Sequence, residues 1–361
     1  MKITRILARE LDAPLQARWR AITAADHAYA SPYFSVEYTL AVAEVRKDAY
    51  VGVLEDAQGV QGFFPYQLKT GRIGGPMGGQ LSDWHGVIAT PQAHWEASAL
   101  MKACSLDIWD FDHLPAAQHP FDAHVSGHGV SPVLDLSGGY EAYLAQRKAA
   151  GAQRVAQFLR KARKFEREVG PLRFEPDSRD PRAFAQVVQW KREQCQRTGV
   201  PDYFAWGWTT AMVERIAQVQ SPQFAGRLSV LWHGDQILGA HFGMRSDRVW
   251  HWWFPTYNKG FSDYSPGGIL LLEVARAAAA EGSSLLDLGR GDDVYKQSFA
   301  TGTLALTEGS VMLPSWSRTL RQTRRAVSRC VKENPGLQRA WSAMRPWRDR
   351  WTQRRATAPA R

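Results

Sequence analysis

A short stretch of the C-terminal half gathers the functional groups that acyl-group chemistry needs. Leu285-Leu286-Asp287-Leu288 reads as an apolar strand and leads into Gly289-Arg290-Gly291-Asp292-Asp293, then Val294-Tyr295-Lys296-Gln297-Ser298-Phe299. Acids, a phenol and an amine thus follow a strand end. Transfer of an acyl group to an amine or hydroxyl needs a base for the nucleophile, a cation or N–H donors for the oxyanion, and an acid for the leaving group. Asp292 or Asp293, Lys296 and Tyr295 could fill those roles, and the same residues could equally form an Asp–Lys ion pair that caps the following turn. Upstream, Tyr264-Ser265-Pro266-Gly267-Gly268 opens a helical run at Ile269, with Ser265 at the N-cap, Pro266 in the first turn and glycines where backbone must approach something closely. Backbone N–H groups at such a start form an anion site, for the pyrophosphate of an acyl-CoA or for another phosphate or carboxylate. A well-capped helix alone would read the same way. In the N-terminal half, Ser82-Asp83-Trp84-His85 follows the Gly-rich residues 71–79, as suits a loop lining a cleft.

These groups need a scaffold of mixed α/β elements. Periodicity predicts a helix over 38–45, strands over 49–55 and 60–68 with an interruption at Pro65, and short strands over 86–89 and 108–111. The strongest helical signal spans 140–169, where Val155, Phe158, Leu159, Ala162, Phe165 and Val169 keep helical spacing and Arg154, Arg160, Lys161, Arg163, Lys164 and Arg167 take the other faces. That basic face is either solvated surface or a platform for an anionic substrate. The second half predicts a strand over 172–175, helices over 181–198 and 208–219, a meander over 227–232, 237–245 and 249–255, a helix over 266–281, and strands over 285–288 and 304–313. Trp250, Trp252, Trp253 and Phe254 on the meander could stack on a sugar or adenine, or fill a core. No internal repeat is visible, so any duplication must be old or partial.

With 361 residues and 44% hydrophobic content the chain can bury two cores. We divide it at 1–136, 137–314 and 315–361. Cys104, Cys195 and Cys330 have no metal-ligand or disulfide-framework spacing, so no metal site is expected. No apolar leader or run of eighteen apolar residues occurs, which makes the cytoplasm the expected compartment. The net charge of +10 is concentrated in residues 315–361, whose 12 Arg and Lys332 face only Glu333 and Asp349. That tail, with Trp316, Trp341, Trp347 and Trp351, reads as helical and either solvated or laid along an anionic membrane surface.

Taken together, Trp190-Lys191-x-x-Gln194, Thr198-Gly199-x-x-Asp202, Tyr264-Ser265-Pro266-Gly267 and Asp287-Leu288-Gly289-Arg290-Gly291 closing on Tyr295-Lys296 resemble the CelD-type acetyltransferases of the GNAT superfamily, acyl-CoA N-acyltransferases linked to cellulose and exopolysaccharide biosynthesis. The resemblance runs from about Phe34, through Phe63-Phe64-Pro65 and Ser82-Asp83, to about Leu313. That family is similar to the FemABX aminoacyltransferases, which implies two tandem GNAT-like domains, each a mixed, largely antiparallel sheet flanked by helices, with the acceptor held between them. It implies Lys296 in transfer, with Tyr295 or Asp292 handling protons and Asp83 on the acceptor side. Ser265, Gly267, Gly268 and Ile269 would hold the nucleotide of acetyl-CoA or another acyl-CoA, and Trp84, His85, Tyr257 and Arg290 would line the acceptor site. The implied activity is transfer from acyl-CoA to an amino or hydroxyl group of a cell-envelope saccharide or its precursor. The GNAT pyrophosphate signature is not clean around residues 264–268. Transfer from charged tRNA, and a non-catalytic scaffold in polysaccharide synthesis, are the competing expectations.

Overall fold

The computed structural model describes residues 1–291 and 293–314, so the tail and Asp292 lie outside the described residues. The chain opens with strand β1 (Lys2–Leu7), helices α1 (Ala13–Ala25) and α2 (Val36–Val45), and the meander β2 (Ala49–Asp56), β3 (Gly59–Thr70) and β4 (Ile73–Pro76). Strand β5 (Ile88–Ala89), helix α3 (Ala97–Ala103) and strands β6 (Ile108–Pro115) and β7 (Val125–Asp135) complete the first run. A helix pair, α4 (Tyr140–Ala149) and α5 (Gln153–Glu168), connects it to β8 (Arg173–Glu175), α6 (Pro181–Thr198) and α7 (Gly207–Gln218). The meander β9 (Ala225–His233), β10 (Gln236–Arg245) and β11 (Val249–Tyr257) follows, then α8 (Pro266–Ala280), β12 (Leu285–Asp287), α9 (Val294–Phe299) and β13 (Gly302–Met312).

The element order repeats: a strand, two helices, a three-strand meander, a helix, a strand parallel to the end of the meander, and a last antiparallel strand. This duplication is invisible in the residues because it survives only as topology. The two runs share one sheet, in the order β1-β2-β3-β4-β6-β13-β7-β12-β11-β10-β9-β8. Its middle is an exchange. Strand β13 pairs with β6, strand β7 pairs with β12, and the two cross-paired strands are hydrogen-bonded to each other.

Local chemistry explains most boundaries. Helix α6 starts where the Asp180 side chain accepts from the Arg182 N–H with Pro181 in the first turn, and stops at Gly199 in the left-handed region. Its buried Ala183 and Val187 join a core with Phe242, Met244 and Trp253 from β10 and β11. The helix predicted over 140–169 is two helices, because Gly151 turns left-handed (φ +68°) between them. Pro65 does not interrupt β3. It pairs with Val51 on one side, while on the other it falls between the residues bonded to β5 and those bonded to β4, where a missing N–H costs nothing. Strand β7 was not legible, since Ser126-Gly127-His128-Gly129 carries no apolar alternation.

Candidate active site

Strands β11 and β12 are parallel only over Val249–His251 and Leu285–Asp287, after which β11 runs on to Tyr257 while β12 ends. His251 and Asp287 are register partners at that fork. His251 is fully buried, with Nε2 2.9 Å from Asp83 Oδ2 and Nδ1 3.3 Å from Asp287 Oδ2. The second contact is an off-axis ion pair rather than a hydrogen bond. The Trp84 indole donates to Asp287 Oδ2 at 2.6 Å, the Gly289 N–H donates to Asp287 Oδ1 at 2.9 Å, and the Ser131 hydroxyl from β7 donates to the same oxygen. Asp83, Trp84 and Ser131 come from the first run; His251, Asp287 and Gly289 come from the second. The site is therefore built across the shared sheet.

Burial opposes ionisation of Asp287 and Asp83, but the close contacts and charge of His251 outweigh it and hold both carboxyls below their ordinary value. Burial likewise works against a charged His251, yet the two carboxylates win and lift it to about 9. The result is an imidazolium between two carboxylates, one sealed and one reaching the surface. The Asp287 side chain is 1% exposed and that of Asp83 is 25% exposed. On the open side of Asp83, His113 Nε2 stands 3.8 Å from Oδ1 and its Nδ1 contacts Asp112 at 3.0 Å. The edge of the Tyr33 ring closes the other flank of His251, with centroids 5.0 Å apart.

Lys296, on the short helix α9, is buried and donates from Nζ to the carbonyls of Gly289 at 3.1 Å and Arg290 at 2.9 Å. Asp293 lies 3.7 Å away. Gly289 links this ammonium to Asp83. It is left-handed (φ +73°), and a Cβ there would stand 2.9 Å from Asp83 Oδ2, so only glycine lets the loop pass this close to the carboxylate. Tyr295, on the same helix, is partly exposed, and its hydroxyl is pushed up to about 12 by burial and Asp293, against the pull of Trp252. Lys191 on α6 has the amide oxygen of Gln194 as a partner at 3.1 Å, and burial with the charge of Lys296 brings it down to about 8.

Other residues named from the sequence have different work. Trp84, expected to line the acceptor site, is buried and donates its indole N–H to Asp287. His85 is structural: its Nε2 accepts from the backbone N–H groups of Asp112 and His113, both at 3.1 Å, so it is neutral, and burial takes it down to about 3. Arg290 is committed to a clasp, donating to Glu308 at 2.5 Å and to the Asp112 carbonyl while packed on Gly129. Tyr257 is exposed but six residues along β11 from His251, about 20 Å away. Ser265 sits at the start of α8 in the left-handed region (φ +55°) and makes no side-chain cap; its Oγ accepts from Lys161 at 2.8 Å. Gly267 packs under Tyr257, Gly268 under Phe158, and Ile269 is core.

Sequence reasoning missed His251 and Ser131 and read Asp287 only as part of a strand motif. A lone Asp inside an apolar strand was the available signal, since a buried carboxylate demands partners. His251 was masked by the tryptophans around it. Among the described residues there is no group of three metal-ligating side chains and no helix long and apolar enough to cross a membrane.

Residues 152–297 match the family model described as an acetyltransferase (GNAT) domain. Comparison with curated proteins finds no match. Among solved structures, FemX superposes with a TM-score of 0.56 at 9% identity, covering 86% of this chain and 96% of that one. The C-terminal domain of a chain described as a lysylphosphatidylglycerol synthetase from Agrobacterium fabrum gives 0.50 at 11% identity, with 86% and 96% covered. A protein of unknown function from Bacteroides thetaiotaomicron gives 0.52 at 10%, with 82% and 97% covered. The chain therefore has the GNAT-type fold in the long, two-run form seen in FemX, and its residues 152–297 carry the match to the acetyltransferase (GNAT) domain family.

Proposed function

We propose that this chain is an acyltransferase whose acceptor lies between the two runs, over the open edge of Asp83. The observation that carries this reading is the chain of contacts from Asp287 through His251 to a surface-reaching Asp83, one residue away from the Lys296 ammonium. The acceptor's nitrogen or oxygen attacks the acyl carbonyl carbon. The bond from that carbon to the donor's leaving group breaks as the carbonyl re-forms, and the proton released by the nucleophile passes to Asp83. His251, already charged, holds the Asp83 carboxylate in place. Lys296 spends two N–H groups on backbone carbonyls, and its third serves the developing oxyanion. The match to the GNAT domain family and the fold shared with FemX support the reading. An amino or hydroxyl group of a cell-envelope or exopolysaccharide precursor is the proposed acceptor, and the domain division at 136 and 314 and membrane contact by the tail stand as proposals with it.

The test is transfer of a radiolabelled acyl group, from acetyl-CoA or from charged tRNA, to saccharide fractions of the cell envelope. Asp83→Asn should lower transfer by about 10²- to 10⁴-fold, the usual worth of a general base. Equal turnover in the two proteins would remove Asp83 from the reaction. Charged tRNA belongs in the panel because Arg154, Arg160, Arg163, Lys164 and Arg167 all stand exposed on α5; binding through them would weaken steeply with salt.

A further inference from the structure

The nucleotide end of an acyl-CoA, if held as the fold suggests, would rest on backbone N–H groups at the start of α8. That place is filled from within. Helix α5 lies along it: the Phe158 ring packs directly on Gly268, so that a Cβ at Gly268 would stand 2.6 Å from the ring, and the same ring stacks on Phe299 at 5.1 Å with planes 2° apart. The second glycine is also used, because Tyr257 lies 3.1 Å from where a Gly267 Cβ would be. Both glycines thus make room for aromatic rings of this chain rather than for phosphate.

The donors are spent as well. Pro266 has no N–H, and the N–H groups of Gly268 and Ile269 both bond to the Ser265 carbonyl, at 3.0 and 3.3 Å. At most the N–H of Gly267 remains from the first turn, whereas a pyrophosphate cradle uses several. Ser265 contributes no cap of its own, and its hydroxyl is taken by Lys161 of α5. Two further contacts strap α5 over the preceding loop: Phe165 packs edge-on against Tyr264, and the Tyr264 hydroxyl donates to Glu168 at 3.1 Å.

We infer that α5 replaces the nucleotide of an acyl-CoA at the start of α8, and that this chain takes its acyl group from a donor that makes no pyrophosphate contact there. The inference rests on the acyltransferase reading for its chemical meaning, and on the packing of α5 alone for its geometry.

Calorimetric titration of the full chain with acetyl-CoA tests it, with Gly268→Val as the comparison. The expected result is no saturable heat up to about 1 mM ligand, the weak end of specific binding, together with a lower melting temperature for G268V because the valine displaces the Phe158 ring. Saturable binding that G268V leaves unchanged also upholds the inference, by placing the nucleotide elsewhere. Saturable binding by the wild type that G268V abolishes overturns it. Should G268V fail to fold, the double variant Lys161→Ala with Ser265→Ala replaces it: a wild-type acetyl-CoA affinity lowered tenfold or more by that pair overturns the inference, and an unchanged response, or affinity gained as α5 loosens, upholds it. These outcomes are independent of the Asp83→Asn transfer assay, so failure of the donor inference and failure of the acyltransferase reading are told apart.

Discussion

Replacing Asp287 by Asn should be the most damaging single change of one atom type in this protein. Three hydrogen-bond donors and one cation meet its two oxygens: the Trp84 indole N–H and the off-axis charge of His251 Nδ1 at Oδ2, and the Ser131 hydroxyl and Gly289 N–H at Oδ1. An amide can satisfy one pair with its oxygen, but its NH₂ then faces the other. With the oxygen at the Oδ1 position, the NH₂ confronts the indole and the imidazolium; with the oxygen at Oδ2, it confronts the Gly289 N–H, which cannot turn away. Half of a buried ion pair is also lost, which costs about 3–5 kcal/mol. The pH dependence gives a second measure. The folded value of His251 is about 9 against an ordinary 6.5, so its contribution is fully present below pH 6.5 and is lost as pH rises through 9. That difference corresponds to about 3 kcal/mol. Asp83 and Asp287 are shifted down from 3.8, so their contribution is present above that pH and is lost as pH falls through their folded values. The three groups together favour the folded state most between pH 3.8 and 6.5. Urea unfolding followed by tryptophan fluorescence, at pH 6 and at pH 9, checks both figures. D287N should be less stable by several kcal/mol at pH 6 and should lose much less than the wild type between pH 6 and 9. A penalty under about 1 kcal/mol, or an unchanged pH slope, would refute the account of the buried imidazolium.

Two further outcomes follow from the same geometry. Gly289→Ala should lower transfer about 100-fold, because a displacement of Asp83 by even 1 Å is costly to catalysis, and it should destabilise the fold by about 1–2 kcal/mol for the left-handed backbone; activity within twofold of wild type would show that the approach of Gly289 to Asp83 is incidental. Lys191 should react with acetic anhydride along a titration curve centred near pH 8, and Lys296→Met should move that curve upward by the smaller part that Lys296 contributes; a midpoint near the ordinary 10.5 would refute the burial that is the main cause of the shift.

Much of the second run was legible because its helices and strands carry ordinary signals. Helix α6 has Asp180, Pro181 and Gly199 at its ends, and the meander has turns at Gly234-Asp235 and Ser246-Asp247 between apolar strands. Strand β1 and helices α1 and α3 were not identified, since their apolar stripes are thin: Trp19 and Ile22 are the buried residues of α1. The site was half legible. Asp83 and Lys296 stand in polar loops where functional groups attract notice, whereas His251 and Ser131 become meaningful only through sheet pairings between distant segments. His85 and Trp84 show the converse. Side chains that look reactive beside Asp83 are consumed by the backbone of β6 and by Asp287, and no local pattern distinguishes a working histidine from one that braces a strand.

The crossed strands in the middle of the sheet set how this protein can be divided. A fragment ending at residue 136 would keep β6 and β7 but lack both β13, which lies between them, and β12, leaving one raw edge on β6 and both edges of β7 unpaired. A fragment beginning at 137 would carry β13 with neither of its neighbours and β12 without β7. Each half is thus the other's missing edge, and the two should be obtainable in soluble form only when produced together, reassembling by complementation. The same interlock denies the molecule a hinge between its halves, so access to Asp83 has to come from loops and side chains rather than from the halves swinging apart.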